Sequence, residues 1–268
     1  MLSQEQLQKF DRDGFLAIPN FFTQEQAIQL KQRADQLLQQ LDLNGHPMTQ
    51  FSTGETNDHV GDDYFLTSGD KVRYFFEEGA FNDRGELTVP KERAINKVGH
   101  GLHMLDPVFA GFTLNDKMAS LAHQIGFQSP RVLQSMIICK QPSIGGKVPS
   151  HQDSSFLYTD PLSARGFWFA LEDCTPTNGA LSFIPGSHKD VPVTKRFVRA
   201  PVGGTTFIGH DSPFDETKYV EVPVTRGTLV LIHGSVVHRS TPNLSDVSRF
   251  IYTFHVIEGN AKYAEDNW

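Results

Sequence analysis

Cysteine is scarce in this 268-residue chain, which has only Cys139 and Cys174. Two cysteines exclude a disulfide framework and a Cys-rich zinc site. Both sit in apolar, strand-like runs, which reads as buried, reduced thiols in a reducing compartment. Basic charge is also short: 24 Lys and Arg stand against 31 Asp and Glu, a formal charge of −7. A nucleic-acid protein would usually show a basic face. No apolar run approaches the roughly 20 residues that cross a bilayer. The start, Met1-Leu2-Ser3-Gln4-Glu5, lacks the basic and apolar regions of a signal peptide. The end, Glu265-Asp266-Asn267-Trp268, is not a peroxisomal address. The expectation is a cytoplasmic protein with no membrane span and no nucleic-acid partner, monomeric by default. No repeat or low-complexity tract is visible. Aromatics are plentiful, with 21 Phe and 11% aromatic residues, too many for a chain that cannot build a core. The length fits one domain over residues 1–268.

The first 41 residues are expected to be helical with one extended break. Ser3-x-x-Gln6 and Thr23-x-x-Gln26 read as capping boxes. Between them, Asp13-Gly14-Phe15-Leu16-Ala17-Ile18-Pro19-Asn20 reads as a short strand closed by a turn. Ala27, Leu30, Ala34, Leu37, Leu38 and Leu41 share one helical face. Residues 43–92 are polar, with one expected strand at 71–76. Residues 107–128 read as helical, with Phe109, Phe112, Met118, Leu121, Ala122 and Ile125 as the apolar face. From residue 131 the pattern is β, with runs at 132–140, 166–172, 179–184, 218–224, 227–233 and 249–257. Short strands at such intervals suggest a sandwich or barrel closed as a jelly roll. The expected plan is mainly β with flanking helices: a helical layer with lid segments over 1–130, and a jelly-roll core over 131–260.

Non-haem iron oxygenases bind Fe(II) through two His and one carboxylate, leaving a face open. A strand carrying His-x-Asp suits this, because residues i and i+2 project to one side. The pattern alone is weak. With 11 His and 31 acidic residues, chance alone gives about one His-x-Asp or His-x-Glu. The chain has two, His151-Gln152-Asp153 and His188-Lys189-Asp190. His151 follows an apolar strand and precedes Phe156 and Leu157. His188 sits in a turn beside Lys189, which is the more solvent-facing setting. A later His is needed on a returning strand, and His233 and His238 both qualify. Arg249 favours His238. An Arg opening the apolar run Arg249-Phe250-Ile251-Tyr252-Thr253-Phe254 is costly unless paired, and a dicarboxylate would pair it bidentately.

These residues resemble the phytanoyl-CoA dioxygenase family of Fe(II)- and 2-oxoglutarate-dependent oxygenases. The resemblance starts at Phe10-x-x-Asp13-Gly14-Phe15-x-x-Ile18-Pro19-Asn20-Phe21. It runs through Ile95-Asn96-Lys97-Val98-Gly99-His100, then His151-Gln152-Asp153-Ser154-Ser155-Phe156-Leu157, Asn178-Gly179-Ala180-Leu181 and Pro185-Gly186-Ser187-His188-Lys189. It closes with His238-Arg239-Ser240, Asn243-Leu244-Ser245 and Arg249. The resemblance implies a double-stranded β-helix, cupin-like, with iron held by His151, Asp153 and His238. It implies that Arg249 and Ser240 take the distal carboxylate of 2-oxoglutarate. It places Lys97, Met136, Gln152 and Trp168 in the cosubstrate pocket, and assigns His188 to a structural turn. O₂ would be a cosubstrate and ascorbate a reductant. Some relatives replace the carboxylate ligand with Gly or Ala and bind halide, so Asp153 implies hydroxylation.

Segment 43–106 is the expected lid, with His59, His100, His103, Phe65 and Phe75 as candidate groups facing a small-molecule substrate. Lys189, Lys195, Arg196 and Arg199 form a basic cluster that could meet the phosphates of a CoA thioester, although such a run is more often a solvated face. Two other functions remain open: a non-catalytic jelly-roll module holding a metal or ligand, and a zinc cupin-like hydrolase using the same three ligands.

Overall fold

The computed structural model of the protein describes residues 1–50 and 62–268. Both capping boxes form. Ser3 accepts from the Gln6 amide while Gln6 reaches back to Ser3, opening the helix Gln4–Asp13. Thr23 and Gln26 do the same for the helix Gln24–Gln40. The first helix stops at Gly14, whose φ of 80° is left-handed and suits a residue without a Cβ. A Cβ there would also strike His188.

Two antiparallel sheets face each other. The larger has seven strands, in the order Phe15–Ile18, Leu229–His233, Arg165–Ala170, Arg249–Glu258, Pro130–Lys140, Ile95–His100 and Val72–Phe76. The smaller has four, in the order Val220–Val222, Leu181–Phe183, His238–Ser240 and Val148–His151. The larger sheet therefore takes three of its strands from before residue 131. The expected division into a helical layer and a separate β core is too sharp.

Side-chain alternation sorts the larger sheet into two faces. Phe167, Phe169, Leu231, Ile137, Tyr252 and Phe254 pack under Ala27, Leu30, Ala34 and Phe109 of the helices. Trp168, Ala170, Val230, Ile232 and Ile251 point the other way and meet Leu181 and Phe183 of the smaller sheet. Phe15 stacks on Phe183 at 4.2 Å between ring centroids. Truncating such a fully buried Phe to Ala costs about 3–5 kcal/mol. Cys139 and Cys174 are buried and unlinked, as their settings in sequence predicted, and burial pushes the Cys174 thiol up to about 12.

Three local expectations change. The helical stretch expected over 107–128 is two helices, Pro107–Thr113 and Asp116–Gln124. Asn115 starts the second by accepting from the Met118 amide, a cap that the continuing apolar periodicity hides. Ile95–His100, Val148–His151 and His238–Ser240 are strands too short or too polar to show alternation. The basic run Lys195–Arg199 is also a strand, pairing with Thr205–Gly209.

Candidate metal centre and its chamber

The smaller sheet assembles the centre. His151 and His238 are registered partners on neighbouring antiparallel strands. Asp153 follows at the start of a short 3-10 helix, Asp153–Ser155. One ligand atom from each of the three lies within 4.8 Å of the others. Among the described residues this is the one group of His, Cys, Asp or Glu that could converge on a metal ion. Asp153 Oδ1 stands 3.5 Å from His151 Nε2 and 3.7 Å from His238 Nε2.

Each imidazole is oriented by its own strand. His151 Nδ1 donates to the Pro149 carbonyl at 2.9 Å, and His238 Nδ1 to the Val236 carbonyl at 3.1 Å. That fixes the tautomer in which Nε2 carries the lone pair. Burial, helped by the neighbouring His151, pushes His238 down to about 4, so it is neutral at pH 7. Burial alone would raise the Asp153 carboxyl. The neighbouring His238 and His255, with the hydrogen bond from His255, outweigh it and hold the group well below the usual carboxylate range. The result is two nitrogen donors and one carboxylate aimed at one point.

The rival motif is elsewhere. His188 Nε2 donates to the Asp11 carbonyl at 3.0 Å, and its ring lies 4.7 Å from that of His233. Both alternative histidines thus pack together under the N-terminal helix rather than at the triad. Burial pushes His233 down to about 3.

Arg249 is 2% exposed. Among the described residues its guanidinium has no ion pair, and its buried Nε has no hydrogen-bond partner. The nearby carboxylate Glu172 is committed to the Ser248 hydroxyl and the Phe250 amide. Arg249 shares the inner face with Ile251, Thr253 and His255, and its guanidinium lies 5.8 Å from the Trp168 ring. Lys140 is its direct cross-strand partner. Burial and the Arg249 charge push Lys140 down to about 6, and its amine donates to the carbonyls of Gly146 and Thr241. Arg249 is therefore the cation of this pair at neutral pH.

The other expected pocket residues divide. Met136 and Trp168 are cross-strand partners of Thr253 and lie on the inner face. Lys97 is on the same face, opposite Ile138, and burial pushes it down to about 7. Ser240 is buried two residues beyond His238. Gln152 does something different from what the resemblance implied. Both of its amide hydrogens are spent on the carbonyls of Val191 and Ser235, at 2.9 and 2.7 Å. Alternation turns its side chain away from those of His151 and Asp153, and it ties the ligand-bearing segment in place.

Phe65, Phe75 and His100 join an aromatic wall. Phe156 lies 5.9 Å from His151, Phe197 lies 5.5 Å from Phe156, and Phe65 lies 6.3 Å from Phe197. His100 packs on Phe65 and Phe75 and meets the Ser68 hydroxyl at 2.8 Å. His103 departs from expectation. Its Nδ1 and backbone amide both meet the Ser135 hydroxyl, which alternation places on the helix-covered face of the sheet. His59 lies outside the described residues. The basic cluster is paired off: Lys189 with Asp11, Lys195 with Asp211, Arg196 with Asp266, while Arg199 donates to the Leu66 carbonyl. Beside the wall, a cleft of about 470 Å³ is lined by Leu66, Leu133, Gln134, Leu157 and Trp268 among others.

One residue of the centre was missed in the sequence. His255 Nε2 lies 3.2 Å from Asp153 Oδ2. The available signal was its spacing: six residues after Arg249 in a strand, it must share the inner face.

A jelly roll that gathers two imidazoles and a carboxylate at one point has the architecture of the facial-triad metalloproteins. The sequence narrows this further. The chain belongs to the phytanoyl-CoA dioxygenase family, whose model, described as Phytanoyl-CoA dioxygenase (PhyH), matches residues 10–251. It is 48% identical to the phytanoyl-CoA dioxygenase domain-containing protein 1 homolog of Caenorhabditis elegans, over 97% of this chain and 93% of that one. Among solved structures, EctD from S. alaskensis with 2-oxoglutarate and 5-hydroxyectoine superposes with a TM-score of 0.66 at 19% identity, over 98% of this chain and 78% of that one. The non-heme alpha ketoglutarate dependent carbocyclase SnoK from nogalamycin biosynthesis gives 0.66 at 19%, over 99% and 87%. These likenesses establish the double-stranded β-helix fold.

Proposed function

We propose that the chain is an Fe(II)- and 2-oxoglutarate-dependent dioxygenase that hydroxylates a small-molecule or acyl substrate, releasing succinate and CO₂. The observation that carries this reading is Arg249: a buried guanidinium without an ion-pair partner among the described residues, on the same strand face as His255, which meets Asp153. An uncompensated buried charge is strongly unfavourable, and an incoming dicarboxylate removes that cost. A zinc hydrolase or a passive metal site has no use for it.

The donor set fits a divalent iron, with imidazole and carboxylate ligands and room left for other donors. His151, Asp153 and His238 would hold it. With 2-oxoglutarate and O₂ bound, the iron supplies the oxidising power for C–H hydroxylation, a chemistry that belongs to the cofactor rather than the protein. The chain's own residues do the rest. Arg249 and Ser240 anchor the distal carboxylate, with Trp168, Met136 and Lys97 lining its pocket. The Phe156–Phe197–Phe65 wall keeps water from the substrate side. SnoK, a carbocyclase, is a case of this fold serving another outcome. Asp153 favours hydroxylation here. The paired state of Lys189, Lys195 and Arg196 leaves that surface poorly suited to a polyphosphate carrier.

The test is anaerobic loading with Fe(II), then succinate formation from 2-oxoglutarate in air across a panel of acyl-CoAs and free metabolites. Oxygen incorporation into one panel member is expected. Zinc recovered from anaerobically purified protein, with no 2-oxoglutarate binding, would sink the proposal.

A further inference from the structure

Asp153 has two oxygens, and the structure gives them different neighbours. Oδ1 faces both ligand imidazoles, at 3.5 and 3.7 Å. Oδ2 faces His255 Nε2 at 3.2 Å. His255 comes from the larger sheet, whereas His151 and His238 come from the smaller one. The contact therefore bridges the two sheets at the metal centre.

The partners of His255 fix its sense. Its Nδ1 lies 3.4 Å from Gln134 Nε2, its neighbour across the strand pair. The carboxylate oxygen Oδ2 can only accept, so His255 Nε2 carries the hydrogen toward it and Nδ1 is left to accept from Gln134. This gives a directed chain from Gln134 through His255 to Asp153. The space for it is reserved by a glycine. Gly166 is the cross-strand partner of His255 on its other side. A Cβ at Gly166 would stand 3.4 Å from Asp153 Oδ2, 3.5 Å from His255 Nε2 and 3.3 Å from Ile232 Cβ. Any larger side chain would press on the contact.

We propose that His255 is a positioning residue, one that holds Asp153 Oδ2 through its Nε2–H and so leaves Oδ1 as the single carboxylate donor to the metal. The inference rests on the reading of His151, Asp153 and His238 as metal ligands. Its physical basis is general: groups that hydrogen-bond a ligating carboxylate set its orientation and its coordination mode. A carboxylate with both oxygens free can bind through both, which would consume a coordination position needed by cosubstrate or O₂.

The test uses Co(II) as a spectroscopic probe of the whole chain under nitrogen. His255→Leu removes the donor, and His255→Phe does so while keeping a ring. His255→Gln restores an N–H near the Nε2 position. Asp153→Ala serves as the ligand control, and thermal melting checks each fold. Loss of the donor is expected to weaken Co(II) binding by about 10–100-fold and to shift the d–d absorption as the carboxylate changes mode. His255→Gln should return both toward wild type. The kinetic counterpart is a fall in kcat greater than any rise in the KM for 2-oxoglutarate. Three outcomes overturn the proposal. Wild-type affinity and spectrum in a folded His255→Leu or His255→Phe would show that His255 only packs. A His255→Gln as weak as His255→Leu would show that ring shape, not the donor, matters. Equal Co(II) binding by wild type and Asp153→Ala would remove the metal reading first, and the role of His255 with it.

Discussion

His151 and His238 are cross-strand partners whose rings lie 4.1 Å apart between centroids. The pairing of two short strands thus sets the separation of the two nitrogen donors before any metal arrives. Neither imidazole has freedom to turn, because each Nδ1 is tied to a carbonyl of its own strand. A preformed site of this kind loses little conformational entropy on binding an ion.

The triad leads to the first expectation. Ala at His151, Asp153 or His238 should abolish metal-dependent succinate formation and leave the melting profile of the metal-free protein close to wild type, since the inter-sheet core is apolar and separate. His188→Ala should retain turnover, because its ring packs against His233 and Asp11. Succinate assays and calorimetry on the four variants check this. Activity lost in His188→Ala and kept in His151→Ala would reassign the centre.

Arg249 gives a prediction with two opposed signs. Arg249→Met should raise the KM for 2-oxoglutarate steeply, because truncating one partner of a buried charge pair costs about 2–5 kcal/mol. The same change should leave the ligand-free protein as stable as wild type or more so, since it removes a buried charge that has no ion-pair partner among the described residues. Arg249→Lys should recover only part of the affinity, an ammonium being unable to match the planar fork. Melting with and without 2-oxoglutarate separates the two effects. An unchanged ligand-induced shift in Arg249→Met would mean that the carboxylate is anchored elsewhere.

Removing the carboxylate ligand is a separate case. Asp153→Gly leaves two nitrogen donors, and a dication loses its anionic protein ligand. Iron affinity should fall and hydroxylation should stop. 2-Oxoglutarate should still bind, because Arg249 is untouched. Halogenation is not expected, because loss of the carboxylate alone supplies no group to hold a halide. Iron titration with 2-oxoglutarate present, alongside product analysis in chloride, reads all of these.

Lys140 sets a pH dependence. Its folded pKa, about 6, lies below the unfolded value near 10.4. Between these values the unfolded chain binds more protons, so this group makes stability rise with pH over that window. Lys140→Met removes the contribution. The difference in unfolding free energy between wild type and variant should therefore change in favour of wild type from pH 7 to 9, by up to about 1.4 kcal/mol per pH unit. Urea unfolding at several pH values measures it. A flat difference would mean that the Lys140 amine stays charged in the folded state.

Much of this was legible in the order of residues. Capping boxes at Ser3 and Thr23 are local chemistry and formed as read. The jelly roll followed from short apolar strands separated by Gly and Pro. His151, Asp153, His238 and Arg249 stood out because a strand-borne His-x-Asp and a lone Arg in an apolar run are unusual placements. Less visible were the strands that carry the centre. Val148–His151 and His238–Ser240 are too short for alternation to register, and they exist because each completes the hydrogen bonding of its neighbour.

By itself the sequence determined periodicity, capping and the two-residue repeat that puts Arg249, Ile251, Thr253 and His255 on one face. These depend on neighbours a few positions away, so the chain specifies them locally. Only the tertiary structure decided which faces meet. The pairing of His255 with Asp153, the clearance at Gly166, the spending of the Gln152 amide on Val191 and Ser235, and the placement of His103 behind the sheet join residues far apart in the chain. Strand register fixes such meetings, and a shift of one residue would send every side chain to the opposite face.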